Sequence, residues 1–297
     1  MESLLLKMLI DKACKIILKD CMNLRKNESC LIVTDFKLKS IGNALYKNSL
    51  KITKNSKLIL TTIPKAHGEE PPQKIADEML KHDVILMPTT KSLSHTRARE
   101  NAIKTGARIA SMPGITIDMM KRALNVNFNK IRIINEKLIK KLKNKNKIKI
   151  TTKKGTNIEF YTKGRKWIGD DGIYTKKGAF GNLPAGEVFT APLEGKTNGK
   201  IVVDASIGGI GKVDKNIRID VKNGFIVNMQ GGKVANQFKK SLKSYRSKAS
   251  GELKNQGFLS NKLYKNVAEL GIGTNYKAKI TGNVLEDEKV AGTCHIA

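Results

Sequence analysis

The chain has 297 residues, 40% of them hydrophobic, and sets 56 Lys and Arg against 26 Asp and Glu for a formal charge of +30. That length and apolar content exclude a disordered polyelectrolyte and leave room for two hydrophobic cores. The charge raises nucleic acid or an anionic membrane as a partner, yet only nine of the basic residues are Arg and the lysines run through every segment, so neither a specific nucleic acid nor a membrane is expected to bind.

The opening "MESLLLKMLIDKACKIILKD" is apolar, but Lys7, Asp11, Lys12 and Lys15 interrupt it too early for a signal peptide or a membrane span. An amphipathic helix is expected instead. The four cysteines, Cys14, Cys21, Cys30 and Cys294, form no C-x-x-C pair and no secreted-scaffold spacing, which points to reduced thiols in a cytoplasm. After the first helix, strand-like runs at 30–35, 57–62, 83–88 and 107–113 alternate with helix-like segments near 39–51, 72–81 and 95–105. Continuous apolar strands separated by helices read as a parallel α/β sheet covered on both faces.

Between 126 and 145 a Lys/Asn-rich helical pattern loses its apolar content, and the domain boundary is placed there. The expected fold class is α/β: a parallel-sheet, Rossmann-like α/β domain over 1–143, then a β-rich α+β domain over 144–297. The second part opens with a period-two hairpin, "KIKITTKKGTNIEFYTKG", and continues through "KIVVDASIG", "IRIDVKNGFIVNMQGG" and "YKAKITGNV", with helices near 232–249 and 259–268. The chain stops at the apolar "AGTCHIA", where a terminal strand would normally run out into polar residues, so a missing C-terminal tail is expected.

Three tempting patterns fail. "SIGGIGKV" lacks both ends of a phosphate-binding loop, "GIGTNY" has Tyr276 where a dinucleotide fingerprint needs its third glycine, and "AHGEEPP" carries prolines where a zinc-binding helix would run. Four residues remain. His95 follows the strand at 83–88, where an open α/β sheet exposes its ligand crevice, and is a candidate for binding substrate. Glu187 in "GNLPAGEVFTAP" and Glu269 in "NVAELGIGTN", read as a helix end running into a turn, are acids in apolar, glycine-rich settings. A buried carboxylate must neutralise or find a cation. With His295 in "GTCHIA" they form an oxygen and nitrogen set of the kind zinc, cobalt or manganese accepts.

In this order, and behind "SLSHTRARENAIKTGARIASMPGIT", these motifs resemble those of the thermophilic-type metalloaminopeptidases, the leucyl aminopeptidase or aminopeptidase T family. The resemblance implies Glu187, Glu269 and His295 as ligands of two divalent ions (Zn, Co or Mn), a metal-activated hydroxide, and removal of N-terminal residues from peptides. It also implies a His-x-Asp pair beyond the "HIA" strand, and the chain ends before one, so an incomplete or inactive hydrolase is expected. The same fold family resembles a ring-cleaving iron dioxygenase of dihydroxypyridine breakdown, the alternative reading. A third, a basic nucleic-acid-binding protein, rests on charge alone. The expected partners are a peptide substrate and a second copy of the chain in a homodimer. Glu187, Glu269 and His295 are expected to converge on one cleft, with His95 facing it.

Overall fold

The computed structural model describes residues 2–252 and 264–297. Helix α1 (Glu2–Lys15) runs into a π-helical turn (Ile16–Cys21) and is followed by β1 (Cys30–Asp35), α2 (Lys39–Ser49), β2 (Ser56–Thr61), α3 (Gln73–Met79), β3 (Val84–Met87), α4 (Arg97–Lys104), β4 (Arg108–Ser111), α5 (Ile117–Lys121) and α6 (Phe128–Leu142). The β-rich part holds β5 (Lys147–Thr151), β6 (Asn157–Tyr161), β7 (Ile168–Asp170), β8 (Phe180–Asn182), β9 (Glu187–Thr190), β10 (Asn198–Val203), β11 (Ser206–Ile207), β12 (Gly211–Lys212), β13 (Ile217–Lys222) and β14 (Phe225–Gln230). It closes with α7 (Lys233–Glu252), β15 (Leu270–Gly273), α8 (Val284–Asp287) and β16 (Cys294–Ile296).

The α/β reading is what the structure shows. A parallel sheet of order β2-β1-β3-β4-β8 has β1, β3 and β4 buried at every position, as continuous apolar strands between helical layers must be. Its edge strand β2 departs from that expectation. Leu60 is exposed, because no neighbour covers the edge. Strand β8, drawn from the later half of the sequence, adds the fifth parallel strand, pairing Ser111 with Asn182. An antiparallel sheet β14-β13-β10-β6-β5 packs its alternating apolar face, with Ile158, Phe160, Ile217, Ile219 and Val221, against Val234 and Ala235 of α7.

The sheet that matters for function is the third, antiparallel β16-β15-β9-β7. Two expectations are corrected here. The segment before Gly271 is not a helix end but the approach to β15, and "YKAKITGNV" forms no strand, residues 276–283 being turn and irregular chain that carries α8 into place. The helix expected near 259–268 lies largely outside the described residues, and residues 264–268 are not α-helical. No helix among the described residues is long and apolar enough to cross a membrane.

Two buried ion pairs tie the elements together. Arg122, just after α5, grips the fully buried carboxylate of Glu286 on α8 through both Nη atoms, and the Lys279 backbone N–H completes its shell. Arg122→Lys keeps the charge but loses the fork, so a loss of about 1.5–3 kcal/mol is expected in urea unfolding. Arg108 on β4 holds Glu28 in the same two-toothed way, at 3.0 and 2.7 Å. The hydrogen bond from Arg108 holds the Glu28 carboxyl below its ordinary value of 4.5. A depressed carboxyl contributes stability that is present above the unfolded pKa and lost as pH falls through the folded one. Glu28→Gln is therefore expected to flatten the fall in Tm below about pH 4.5 and leave the slope near neutrality unchanged.

Candidate metal centre

Glu187 opens β9, and its neighbours fix where its carboxylate goes. It sits opposite Asp170 of β7 and opposite Gly273 of β15, and Gly271 sits opposite both Phe189 of β9 and His295 of β16. Residues directly opposite share a face of the sheet, as do residues two apart on one strand. Asp170, Glu187 and His295 thus lie on one face, and β15 separates His295 from Glu187. On that face β15 carries glycine at both positions.

Those glycines let the histidine cross. A Cβ on Gly271 would stand 1.9 Å from His295 Nε2, and one on Gly273 would stand 2.1 Å from the Val290 carbonyl oxygen. With the strand bare, the imidazole occupies the space over Gly271 and brings Nε2 to 3.1 Å from Glu187 Oε2 and 3.2 Å from Glu269 Oε1. The main chain at Glu187 is held from behind by the buried Asn135 of α6, whose Nδ2 donates to the carbonyls of Glu187 (3.0 Å) and Asp170 (3.1 Å) while its Oδ1 accepts from Thr274 (2.7 Å).

A residue that the sequence reading did not single out completes the cluster. Lys289, next in the chain to Glu288, is fully buried, and its Nζ lies 2.6 Å from Glu187 Oε1 and 3.2 Å from Glu288 Oε2. Burial opposes its charge, but the carboxylates of Glu187, Glu288 and Asp170 outweigh that and hold its pKa above the ordinary lysine value. Burial would likewise raise the Glu187 carboxyl, yet Lys289 and His295 keep it below the usual range. For His295, burial favours the neutral ring, and Glu187 and Glu269 reverse this, lifting it to about 9. Asp170 is pushed up to about 7 by burial, with Lys289 opposing, Glu187 adding and the Tyr174 hydroxyl donating to its Oδ1 at 2.6 Å.

The structure brings Glu187, Glu269 and His295 together and leaves His95 apart. His95 is exposed in the loop before α4, with its backbone beside Gly68, and no contact carries it to the cluster. Glu288 joins instead: one donor atom each from Glu187, Glu288 and His295 lie within 4.8 Å of one another. Glu187 Oε2 and both ring nitrogens of His295 are buried without a hydrogen bond of acceptable geometry, despite the short Oε2 to Nε2 distance. Unpartnered buried donors and acceptors are costly, and a carboxylate oxygen, a second carboxylate and an imidazole nitrogen are donors that a divalent ion accepts. The set fits one such ion. A carboxylate bridging two ions uses both oxygens, and the second oxygen of Glu187 is held by Lys289, so this geometry gives the expected Zn, Co or Mn pair no support. A cavity of about 590 Å³ between α1 and the start of α6, lined by Lys12, Asn127, Phe128 and Tyr276 among others, contains none of these residues.

The family described as NicX, 2,5-dihydroxypyridine 5,6-dioxygenase, matches residues 25–292. Among solved structures, that of a 2,5-dihydroxypyridine dioxygenase from Pseudomonas putida KT2440 aligns with a TM-score of 0.73 at 16% identity, over 96% of this chain and 84% of its own. Wild-type AmpT from Thermus thermophilus aligns with a TM-score of 0.66 at 14% identity, over 98% of this chain and 85% of its own. At such identities these two likenesses speak to fold alone. No sequence among the curated proteins matches the chain.

Proposed function

The chain belongs to the 2,5-dihydroxypyridine 5,6-dioxygenase family, and from that premise we propose that it is a ferrous-iron-dependent dioxygenase opening a dihydroxylated pyridine ring. The metalloaminopeptidase assignment is corrected by the family match over residues 25–292. With it go the hydrolase and protease activities. The motif that suggested them has a structural explanation: in "GNLPAGEVFTAP", a Cβ on Gly181 would meet the Tyr174 ring at 2.4 Å, Leu183 and Ala185 are core residues, and Gly186 lies against Asn275 at φ +125°. These residues are required by the crossing from β8 to β9, whatever reaction the site performs.

The observation that supports the reading is the set of buried, unpartnered ligand atoms on Glu187 and His295, with Glu288 in reach. The described residues supply one imidazole and two carboxylates, where the facial-triad iron sites use two histidines and one carboxylate. When bound, ferrous iron supplies the one-electron chemistry that dioxygen needs to react with a closed-shell ring. The chain's own residues then do the rest. Glu187 Oε2, His295 and Glu288 would hold the ion, Glu269 steers the imidazole at 3.2 Å, and Gly271 and Gly273 make room for the His295 ring and the Val290 main chain. The test is oxygen uptake by the anaerobically iron-loaded protein on adding 2,5-dihydroxypyridine. One dioxygen consumed per ring lost, abolished by a ferrous chelator, is the expected result; no uptake together with release of amino acid from an aminoacyl-nitroanilide would sink the reading.

A further inference from the structure

Lys289 is the most deeply buried charged group of the cluster and the proposed reaction gives it no step. Its ammonium occupies the side of Glu187 opposite His295: Oε1 goes to Nζ at 2.6 Å, while Oε2 faces the imidazole at 3.1 Å. It also takes Glu288 Oε2 at 3.2 Å. Two carboxylates converging on one buried cation from the far side of a ligand set is the arrangement a second metal ion would have in a bridged pair. We infer that the Lys289 ammonium takes the place of a second metal ion, fixing the centre at one ion per chain and aiming Glu187 Oε2 at it. The inference rests on the single-ion metal reading above.

Charge supports it. The groups in mutual contact are three carboxylates, Glu187, Glu269 and Glu288, with Lys289 and His295. One ammonium and one divalent ion balance three carboxylates when the imidazole is a neutral ligand, whereas two divalent ions beside the ammonium would leave an uncompensated positive excess in a poorly solvated site. Geometry agrees, since a lysine with 1% side-chain exposure has no water into which its amine could retreat. Lys289 is thus a positioning residue that acts through Glu187 and Glu288.

The test uses Mn²⁺ alone on the full chain, with stoichiometry from metal analysis and the form of the manganese from EPR. Wild type is expected to bind one ion with the six-line spectrum of isolated Mn²⁺. Lys289→Met, close in volume and uncharged, is expected to bind two, with the multiline spectrum of a coupled pair, and Lys289→Arg is expected to remain at one. A merely structural lysine would change stability without creating a coupled pair. A folded Lys289→Met protein that binds a single isolated ion would overturn the inference, and so would two ions in the wild type, a result available even if the methionine variant fails to fold. Binding of none by wild type and variants would overturn the metal reading itself.

Discussion

Glu187→Ala is expected to abolish binding of a divalent ion at the proposed centre and, in the metal-free protein, to cost about 3–5 kcal/mol of stability, because it leaves one member of a buried ion pair behind. The left-behind group is Lys289, whose Nζ has 1% side-chain exposure around it and would retain only Glu288, at 3.2 Å. The effect separates into two parts that a double variant resolves. Glu187→Ala with Lys289→Met removes the stranded charge, so most of the stability should return while metal binding does not. Urea unfolding of the four proteins of this cycle, free of metal, measures the coupling. A single variant that loses less than about 1 kcal/mol would put Glu187 and Lys289 in contact with water rather than with each other.

Gly271→Ala should be as damaging to the centre with no change of charge at all. The added methyl would fall 1.9 Å from His295 Nε2 and 2.1 Å from Cε1; the strand backbone is held by pairing with β9 and β16, and the ring by the carboxylates of Glu187 and Glu269. The imidazole must leave its position over β15. Overpacking of this kind costs about 1–3 kcal/mol, and a displacement near 1 Å of a ligand can lower turnover about a hundredfold. Metal affinity, far-UV circular dichroism and turnover together read the result. Gly208→Ala is the control, because its Cβ would meet the Val284 side chain at an ordinary 3.4 Å. Equal behaviour of the two variants would mean that His295 has another route to Glu187.

The first sheet was legible because its strands are buried on both faces and carry unbroken apolar runs, so that 30–35, 83–88 and 107–113 declare themselves in composition. The site was legible only in pieces. Glu187, Glu269 and His295 were visible as polar residues in apolar surroundings, and the structure does place them together. Lys289 was hidden by its own type: among 56 basic residues, nothing in the sequence separates the one whose ammonium is buried. Glu288 is one of three consecutive acids, Glu286, Asp287 and Glu288, and nothing in that run marks the one that faces the cluster. The most useful signal was present and misread. "GIGTNY" was weighed as a failed dinucleotide fingerprint, whereas its two glycines, at alternate positions of β15, strip one face of side chains, and here that bare face is what the histidine crosses. The motif around Glu187 identified a fold correctly and an activity wrongly, since its glycines and apolar residues satisfy packing at Tyr174 and Asn275, a requirement set by the backbone and not by the chemistry.

The measurement that bears most directly on the proposed activity is isotopic. Iron-loaded protein turned over with 2,5-dihydroxypyridine under ¹⁸O₂ should give a ring-opened product carrying two ¹⁸O atoms by mass spectrometry, with no label entering from H₂¹⁸O at the cleaved bond. A product labelled only from water, or an intact ring beside hydrolysed peptide, would contradict a dioxygenase and return the cluster of Glu187, Glu288 and His295 to hydrolytic chemistry.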